Sequence, residues 1–170
     1  MAIGSLVVVL PRLRHTRLRR LVSRAFTPHR IDGLRPAVEA MVAGYVDDML
    51  DAGDVDVMTA LAFPLPVTVI GELVGVPATD RASFQPLVRA ATAALDPAAD
   101  PATLHTATAA MDQMRAYFFD LVAQRRRMPA DDLLSGLVAA REAGDALSDD
   151  EVVATAILLF AAGFETTTNL

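Results

Sequence analysis

Helical periodicity is the feature of this 170-residue sequence that most limits its fold. Apolar side chains recur every three to four residues through most of the chain, and we find no convincing alternation of apolar and polar residues of the kind that marks a half-buried strand. Short segments with proline or helix-capping residues separate the periodic stretches. We therefore predict an all-α fold, in a single domain because no long linker divides the chain.

The periodicity also predicts where the helices lie. Thr27 is expected to cap a helix with Pro28 at its first position, and Gly53 is expected to end that helix. Ser148 and Glu151 have the spacing of a capping box, in front of the last apolar run. The arginines at 125–127 are interpreted as complementing a helix dipole, with a binding patch as the alternative. The predicted helices are 12–26, 28–52, 57–76, a helix that begins at Thr79 or Asp80 and ends near 95, 104–127, and a short helix that is capped by Asp131 or Asp132 and ends at 141, with a loop at 96–101 and a last helix from 148 onward.

The charges are divided unevenly along the chain. All fifteen basic residues are arginine, and residues 1–35 hold eight of them against one acid, Asp32, for a net charge of +7. The other 135 residues hold seven arginines and 20 acids, for a net charge of −13. The whole chain, at −6 with a pI near 4.9, does not have the composition of a general nucleic-acid binder. The basic segment is expected to meet an anion.

Cysteine is absent from the sequence. The chain therefore supplies no disulfide, no thiolate metal ligand and no cysteine nucleophile. The apolar residues 1–10 are too few to span a bilayer, which needs about 20 residues. Arg12 and Arg14 follow this apolar run, whereas a secretory signal has its positive charge in front of it. We expect a cytoplasmic protein.

An unusual patch interrupts the last apolar helix. Gly163 costs about 0.5–1 kcal/mol in a helix interior relative to alanine, and its missing side chain lets another group approach the backbone. Glu165 is a carboxylate in an apolar stretch, and the Thr166 hydroxyl can bond back to the carbonyl of Ala162 and bend the helix. These residues predict a notch beside an acid and a hydroxyl that handle protons. The alternative is a glycine used for helix packing, with Glu165 turned to solvent.

The first helix carries a second candidate site. His15 and Arg19 are four residues apart, so they share one helix face and can converge on one anion. The planar guanidinium of arginine pairs bidentately with carboxylates. Arg17, Arg20 and Arg24 point elsewhere and are expected to form a surface ridge. The alternatives are a solvated basic helix and a nucleic-acid patch.

The two motifs and a segment between them resemble the bacterial cytochrome P-450 family of haem-thiolate monooxygenases. The segments are His15-Thr-Arg-Leu-Arg-Arg-Leu-Val-Ser-Arg-Ala-Phe26, Leu61-Ala-Phe-Pro-Leu-Pro-Val-Thr-Val-Ile-Gly-Glu-Leu-Val-Gly-Val-Pro77 and Ala162-Gly-Phe-Glu-Thr-Thr167. They are similar to the family's helices C, E and I, in that order, so the resemblance extends from about residue 15 to 170. It implies the helical part, from helix C to helix I, of a mixed, mainly α fold.

As a domain, residues 1–170 then form a single partial cytochrome P-450 domain. Residues 1–11 are an atypical lead-in, 12–27 are similar to helix C, and 150–170 are similar to a truncated helix I. The resemblance implies that His15 and Arg19 bind the two haem propionates. It also implies that Ala162 and Gly163 flank the oxygen pocket on the distal side of the haem.

The resemblance assigns the catalytic roles to the last helix. Glu165 is expected to belong to a proton relay, and Thr166 to hydrogen-bond dioxygen. Phe164 stands where many relatives have histidine. The implied enzyme inserts one atom of O2 into a small organic substrate, using electrons from NAD(P)H through a ferredoxin- or flavoprotein-type redox partner, and requires neither nucleic acid nor a membrane.

The missing cysteine limits what this chain does alone. The family binds its iron through a cysteine thiolate, so no metal ligand is assigned in this sequence. We expect the isolated chain to be inactive and to expose apolar surface. Two alternatives stay open, namely an all-helical binding module that uses its arginine helix on nucleic acid and a non-catalytic pseudo-enzyme fragment that binds haem weakly.

Overall fold

The computed structural model describes the backbone of residues 12–142 and 145–168 and the side chains of residues 16–140 and 146–163. This part of the chain forms eight α-helices and one small β-hairpin. The helices are α1 (Arg12–Ala25), α2 (Pro28–Gly33), α3 (Arg35–Ala52), α4 (Pro64–Val74), α5 (Ala78–Thr92), α6 (Pro101–Arg127), α7 (Leu133–Ala139) and α8 (Asp149–Thr168). The hairpin pairs β1 (Arg141–Glu142) antiparallel with β2 (Asp145–Ala146), with Arg141 opposite Ala146.

Local capping chemistry sets most of the helix ends where the sequence predicts them. The Thr27 hydroxyl accepts a hydrogen bond from the Arg30 amide at 3.3 Å, and Pro28 is the first residue of α2. Ser148 and Glu151 form the reciprocal capping box, because each side chain accepts from the other residue's amide. Gly53 follows the last residue of α3 with φ of 81°. The predicted helical class is confirmed.

One predicted helix is divided in two. The periodicity predicts a single helix from 28 to 52, whereas α2 ends at Gly33 and α3 begins at Arg35, with Leu34 in a turn between them. Pro36 explains the break because it has no amide hydrogen to donate to the carbonyl four residues earlier. Two further short helical turns lie next to α4 and α5. A π-helical turn (Met58–Ala62) precedes α4, and a 3-10 turn (Ala93–Leu95) extends α5.

An aromatic cluster joins three of the helices in the core. Phe84 of α5, Phe118 of α6 and Phe160 of α8 are buried, with at most 1% of each side chain exposed. The Phe84 ring stacks on Phe160 at 4.9 Å and meets Tyr117 edge-on at 4.9 Å between ring centroids. Burial of large rings is among the strongest single contributions to folding. The cluster therefore fixes α8 against α5 and α6.

A buried ion pair joins the ends of α4, α6 and α7. Asp132 caps α7 by accepting from the Ser135 amide at 2.7 Å, and it also accepts from the Arg125 Nε at 2.5 Å. Arg125 donates a further hydrogen bond to the carbonyl of Gly75 at 2.7 Å. Only 12% of the Arg125 side chain and 7% of the Asp132 side chain are exposed. We call Gly75, Arg125 and Asp132 the helix-end junction.

Apolar side chains remain uncovered on part of the surface. No residue of α3 is buried, although its sequence has an apolar face, and Leu50 is 73% exposed. Val46 on α3 and Leu158 on α8 are also exposed. Exposed apolar surface agrees with the expectation from the sequence. Among the described residues, no helix has both the length and the apolar character needed to cross a membrane.

Replacement of Gly75 by alanine is expected to destabilise the protein by at least about 2 kcal/mol, because the left-handed backbone and the junction are both disturbed. Gly75 has φ of +94°, and a Cβ there would lie 2.1 Å from the Asp132 Oδ2. Urea unfolding followed by circular dichroism measures the loss. Gly44→Ala is the control, since a Cβ at this helical position meets nothing within 4 Å. Equal midpoints for the two variants would contradict the assigned role of Gly75.

Candidate functional site

Helix α1 presents its basic residues around a narrow apolar stripe. Leu21 and Ala25 are buried, and Ala25 packs against α7, where a Cβ built on Gly136 would lie 3.3 Å from the Ala25 Cβ. Arg19 lies on the exposed part of α1. His15 belongs to the first turns of the same helix, one turn before Arg19, but its side chain lies outside the described residues. The backbone therefore gives the two residues the shared face that the sequence predicts.

The structure corrects the role of Arg17. The sequence places Arg17 in a surface ridge with Arg20 and Arg24, but its guanidinium turns into the protein. Arg17 donates to Glu151 Oε1 at 2.7 Å and to the carbonyl of Ala146 at 2.7 Å. The side chain is 28% exposed. Arg17 was misassigned because its acceptors lie 129 and 134 residues away in sequence, whereas Arg20 and Arg24 are exposed as expected.

The first turn of α8 is bound by three arginines. Arg17 from α1 pairs with Glu151, and two arginines of α6 pair with the two preceding acids. These other pairs are Arg115 with Asp150 and Arg126 with Asp149. Acids in a first helical turn are stabilised by the helix dipole, and each of these acids also has a cation beside it. The sequence predicts the capping box but does not reveal that three arginines pair with the acids of this turn.

The pKa of Glu151 reflects two opposing effects. Partial burial raises it, but the hydrogen bonds from Arg17 and from the Ser148 amide outweigh burial and hold the pKa below the ordinary value. Glu151 is therefore ionised at neutral pH in the folded protein. Its ion pair with Arg17 persists down to a lower pH than an ordinary glutamate would allow.

Two of the three arginines at the end of α6 have structural partners. Arg125 belongs to the helix-end junction, and Arg126 binds Asp149. These contacts favour the interpretation of the arginine run as a structural feature over the alternative of a binding patch.

Helix α8 has one buried and one open side. Val152, Val153, Ala156 and Phe160 are buried, whereas Leu158 is 39% exposed and Ala162, one turn later, is exposed as well. Glu165 and Thr166 belong to the last turns of α8, where Thr166 follows Ala162 at the spacing of one turn. Their side chains, like that of Phe164, lie outside the described residues.

Gly163 is not required by helix packing. A Cβ built on it would lie 3.6 Å from atoms of Ile70 on α4, which is ordinary van der Waals contact. The alternative of a packing glycine therefore loses its main support. The described part of the structure therefore gives no steric reason for a glycine at position 163.

A cavity of about 290 Å³ between α3, α4 and α5 is a feature that the sequence did not indicate. The Tyr45 hydroxyl lies 3.0 Å from the Thr68 hydroxyl, which donates to the carbonyl of Pro64. Arg81 lines the cavity but binds Glu72 at 2.5 Å. These polar groups are bound to protein partners, so the cavity is assigned no function. In the described part of the chain, no three acidic or histidine side chains form a group that could hold a metal ion.

Comparison with known proteins relates this fold and its motifs to one family. No family model matches the chain. The cytochrome P-450 monooxygenase PikC of Streptomyces venezuelae is 47% identical over 160 residues, which cover 92% of this chain and 37% of PikC. Cytochrome P-450 107B1 of Saccharopolyspora erythraea is 43% identical over 156 residues, with the same shares of each chain. The LnmA cytochrome P-450 hydroxylase of Streptomyces atroolivaceus S-140 matches the structure with a TM-score of 0.87 and 37% identity, over 96% of this chain and 41% of that one.

The chain is similar to one segment of a cytochrome P-450, and we call it the P-450 segment. It spans 37% of the length of these two curated relatives, and its helices match the helical part of the P-450 fold. The resemblance stated from the sequence is confirmed at the level of family and fold.

The ion pair of Glu151 is expected to make the stability of the P-450 segment depend on pH. Because the folded-state pKa lies below the ordinary value of 4.5, the stabilisation is present above that value and is lost as the pH falls through the folded-state pKa. Glu151→Gln should therefore lower the unfolding midpoint at pH 7. The difference from the parent chain should shrink at acid pH, as measured by urea unfolding between pH 3 and 7. A difference that is constant across this range would exclude the ion pair as its cause.

Gly163→Ala is expected to leave the stability of the P-450 segment unchanged or to raise it by up to about 1 kcal/mol, the propensity difference between the two residues in a helix. Gly136→Ala is the comparison variant. A Cβ there would lie 3.3 Å from the buried Ala25 Cβ and 2.8 Å from the Arg30 Nη1, and displacement of Arg30 would disturb its hydrogen bond to the Ala25 carbonyl, so this variant should be destabilising. Thermal unfolding of both variants measures the effect. A large loss in Gly163→Ala would restore the packing interpretation.

Proposed function

We propose that this chain is part of a haem-dependent monooxygenase that inserts one atom of O2 into an organic substrate. The observation that carries the proposal is the match to PikC, which is named a cytochrome P-450 monooxygenase, at 47% identity over 160 residues. The match covers 37% of PikC, so the activity proposed is that of a larger protein. In that protein, haem supplies the redox centre that activates dioxygen.

The donor set of α1 fits the carboxylates of a haem. Arg19 is exposed and its guanidinium suits a propionate, because a planar fork can donate two parallel hydrogen bonds. His15, one turn earlier, is proposed to bind the second propionate. The chain has no cysteine, so it offers no thiolate for the iron. The proposed share of this segment is therefore propionate binding and the distal side, and the segment alone is proposed to be inactive.

The open side of α8 is proposed to form the distal wall. Leu158 and Ala162 present an exposed apolar surface that limits water near the reacting groups. Gly163 leaves its backbone accessible, for which packing against Ile70 gives no reason. Glu165 is proposed to move a proton through its carboxylate, and the Thr166 hydroxyl to hydrogen-bond in the oxygen pocket.

A redox partner is proposed to bring electrons from NAD(P)H to this site. The basic segment of the chain, at +7 over residues 1–35, suits an acidic ferredoxin- or flavoprotein-type partner. Arg20 and Arg24 are proposed to make this contact because both are exposed. Arg17 is not included because its guanidinium binds Glu151.

The propionate role of Arg19 is testable without iron. The chain is titrated with protoporphyrin IX and with its dimethyl ester, which has the same ring but no carboxylates, and binding is followed by porphyrin fluorescence. The free acid should bind more tightly than the ester. Arg19→Gln should reduce this preference roughly tenfold, the size of one charge-assisted hydrogen bond.

Arg35→Gln is the matched control for Arg19→Gln. Arg35 is also an exposed arginine of the basic segment, and it pairs with Glu39 one turn later on α3. It should keep the preference for the free acid. If the parent chain binds the acid and the ester equally, the propionate site on α1 is wrong.

A further inference from the structure

Arg17 occupies a special position on α1 relative to the proposed propionate residues. Arg17 is two residues from both His15 and Arg19, which places it about 160° from each of them around the helix axis, close to the opposite side of α1. The buried residues Leu21 and Ala25 lie between Arg17 and the face of His15 and Arg19, on one side of the helix. A contact at Arg17 therefore resists rotation of α1 about its own axis, which would move the face of His15 and Arg19.

The partner of Arg17 lies at the start of the proposed distal helix. Glu151 is the third residue of α8 and a member of its capping box. The apolar stripe of α1 packs against α7, whereas Arg17 extends past the hairpin, where it binds the Ala146 carbonyl, to the first turn of α8. One side chain thus connects the helix of the propionate residues to the helix of Gly163 and Thr166.

We propose that the Arg17–Glu151 ion pair is a positioning device, which sets the anion-binding face of α1 relative to α8. This inference rests on the proposed function, because it assumes that His15 and Arg19 bind the haem carboxylates. Arg17 and Glu151 do not themselves contact those carboxylates. They act through the orientation of α1. Loss of either partner therefore weakens carboxylate binding by His15 and Arg19 on the opposite side of this helix.

The test uses the preference of the chain for protoporphyrin IX over its dimethyl ester in three variants. Arg17→Gln should reduce the preference roughly fivefold, because a charge-assisted contact that orients the site is lost. Glu151→Gln should reduce it as well, although this substitution makes the chain less negative. Glutamine at this position keeps the capping box, so the start of α8 is preserved. Arg17→Lys keeps the charge and one hydrogen bond to Glu151 and should restore most of the preference.

Glu151→Gln separates positioning from simple charge. If only net charge mattered, removal of an acid would strengthen binding of the dianionic porphyrin, and that result would overturn the proposal. Arg126→Gln is the matched control, because Arg126 pairs with Asp149 in the same turn of α8 but comes from α6. It should leave the preference unchanged. An equal loss in Arg126→Gln would show a general effect of the first turn of α8 and would also overturn the proposal.

The outcomes distinguish this inference from the proposed function. If Arg19→Gln abolishes the preference for the free acid while Arg17→Gln and Glu151→Gln keep it, the propionate site stands and the positioning role is wrong. If the parent chain shows no preference, the propionate site and the positioning role both fail. Circular dichroism of each variant verifies that the helices are intact, so a lost preference is not mistaken for unfolding.

Discussion

The helix-end junction is the constraint on which the rest of the structure depends. A buried ion pair is costly to desolvate, and it is tolerated when further hydrogen bonds satisfy its remaining groups. Asp132 meets this condition by accepting from Arg125 and from the Ser135 amide, and Arg125 in turn donates to the Gly75 carbonyl. The left-handed backbone of Gly75 leaves the space that Asp132 occupies. The Arg125–Asp132 pair thus fixes the ends of α4, α6 and α7 relative to one another.

Both parts of the proposed site depend on that junction. Helix α7 carries Gly136, whose bare backbone admits Ala25 and Arg30, and so α7 determines where α1 lies. Helix α4 carries Ile70, which is the neighbour of Gly163 on α8. A displacement at the junction would therefore move the helix of Arg19 and the wall behind Gly163 together. The two parts of the proposed site are distant in sequence, but both pack against helices whose ends the helix-end junction fixes.

The sequence predicts the local features of this fold well and the long-range pairings poorly. Caps at Thr27 and Ser148 are read correctly because their partners lie within three residues, where spacing alone determines geometry. The break at Leu34 was missed because the apolar periodicity continues across Pro36, while the lost backbone hydrogen bond leaves no mark in that pattern. Arg17 was misassigned because helical periodicity places its Cβ on the exposed side of the stripe but does not reveal Glu151 134 residues away. The motif at Ala162 and Gly163 is distinctive in the sequence because its chemistry departs from that of an ordinary apolar helix, and its role stays a prediction.

The typical free energies of ion pairs and aromatic contacts indicate how much the arginines around α8 contribute to stability. Exposed ion pairs contribute about 0–1 kcal/mol each, whereas a stacked or edge-on aromatic contact adds about 0.5–1.5 kcal/mol beyond the burial of its rings. The aromatic cluster around Phe84 and Phe160 therefore supplies the stability of the α8 packing, and the three arginines add little to it. Packing of apolar rings is tolerant of small rotations, but a guanidinium with two acceptors at 2.7 Å is not. The value of Arg17 lies chiefly in orientation, so its larger effect is to be sought in binding at Arg19, beside a small effect on the free energy of unfolding.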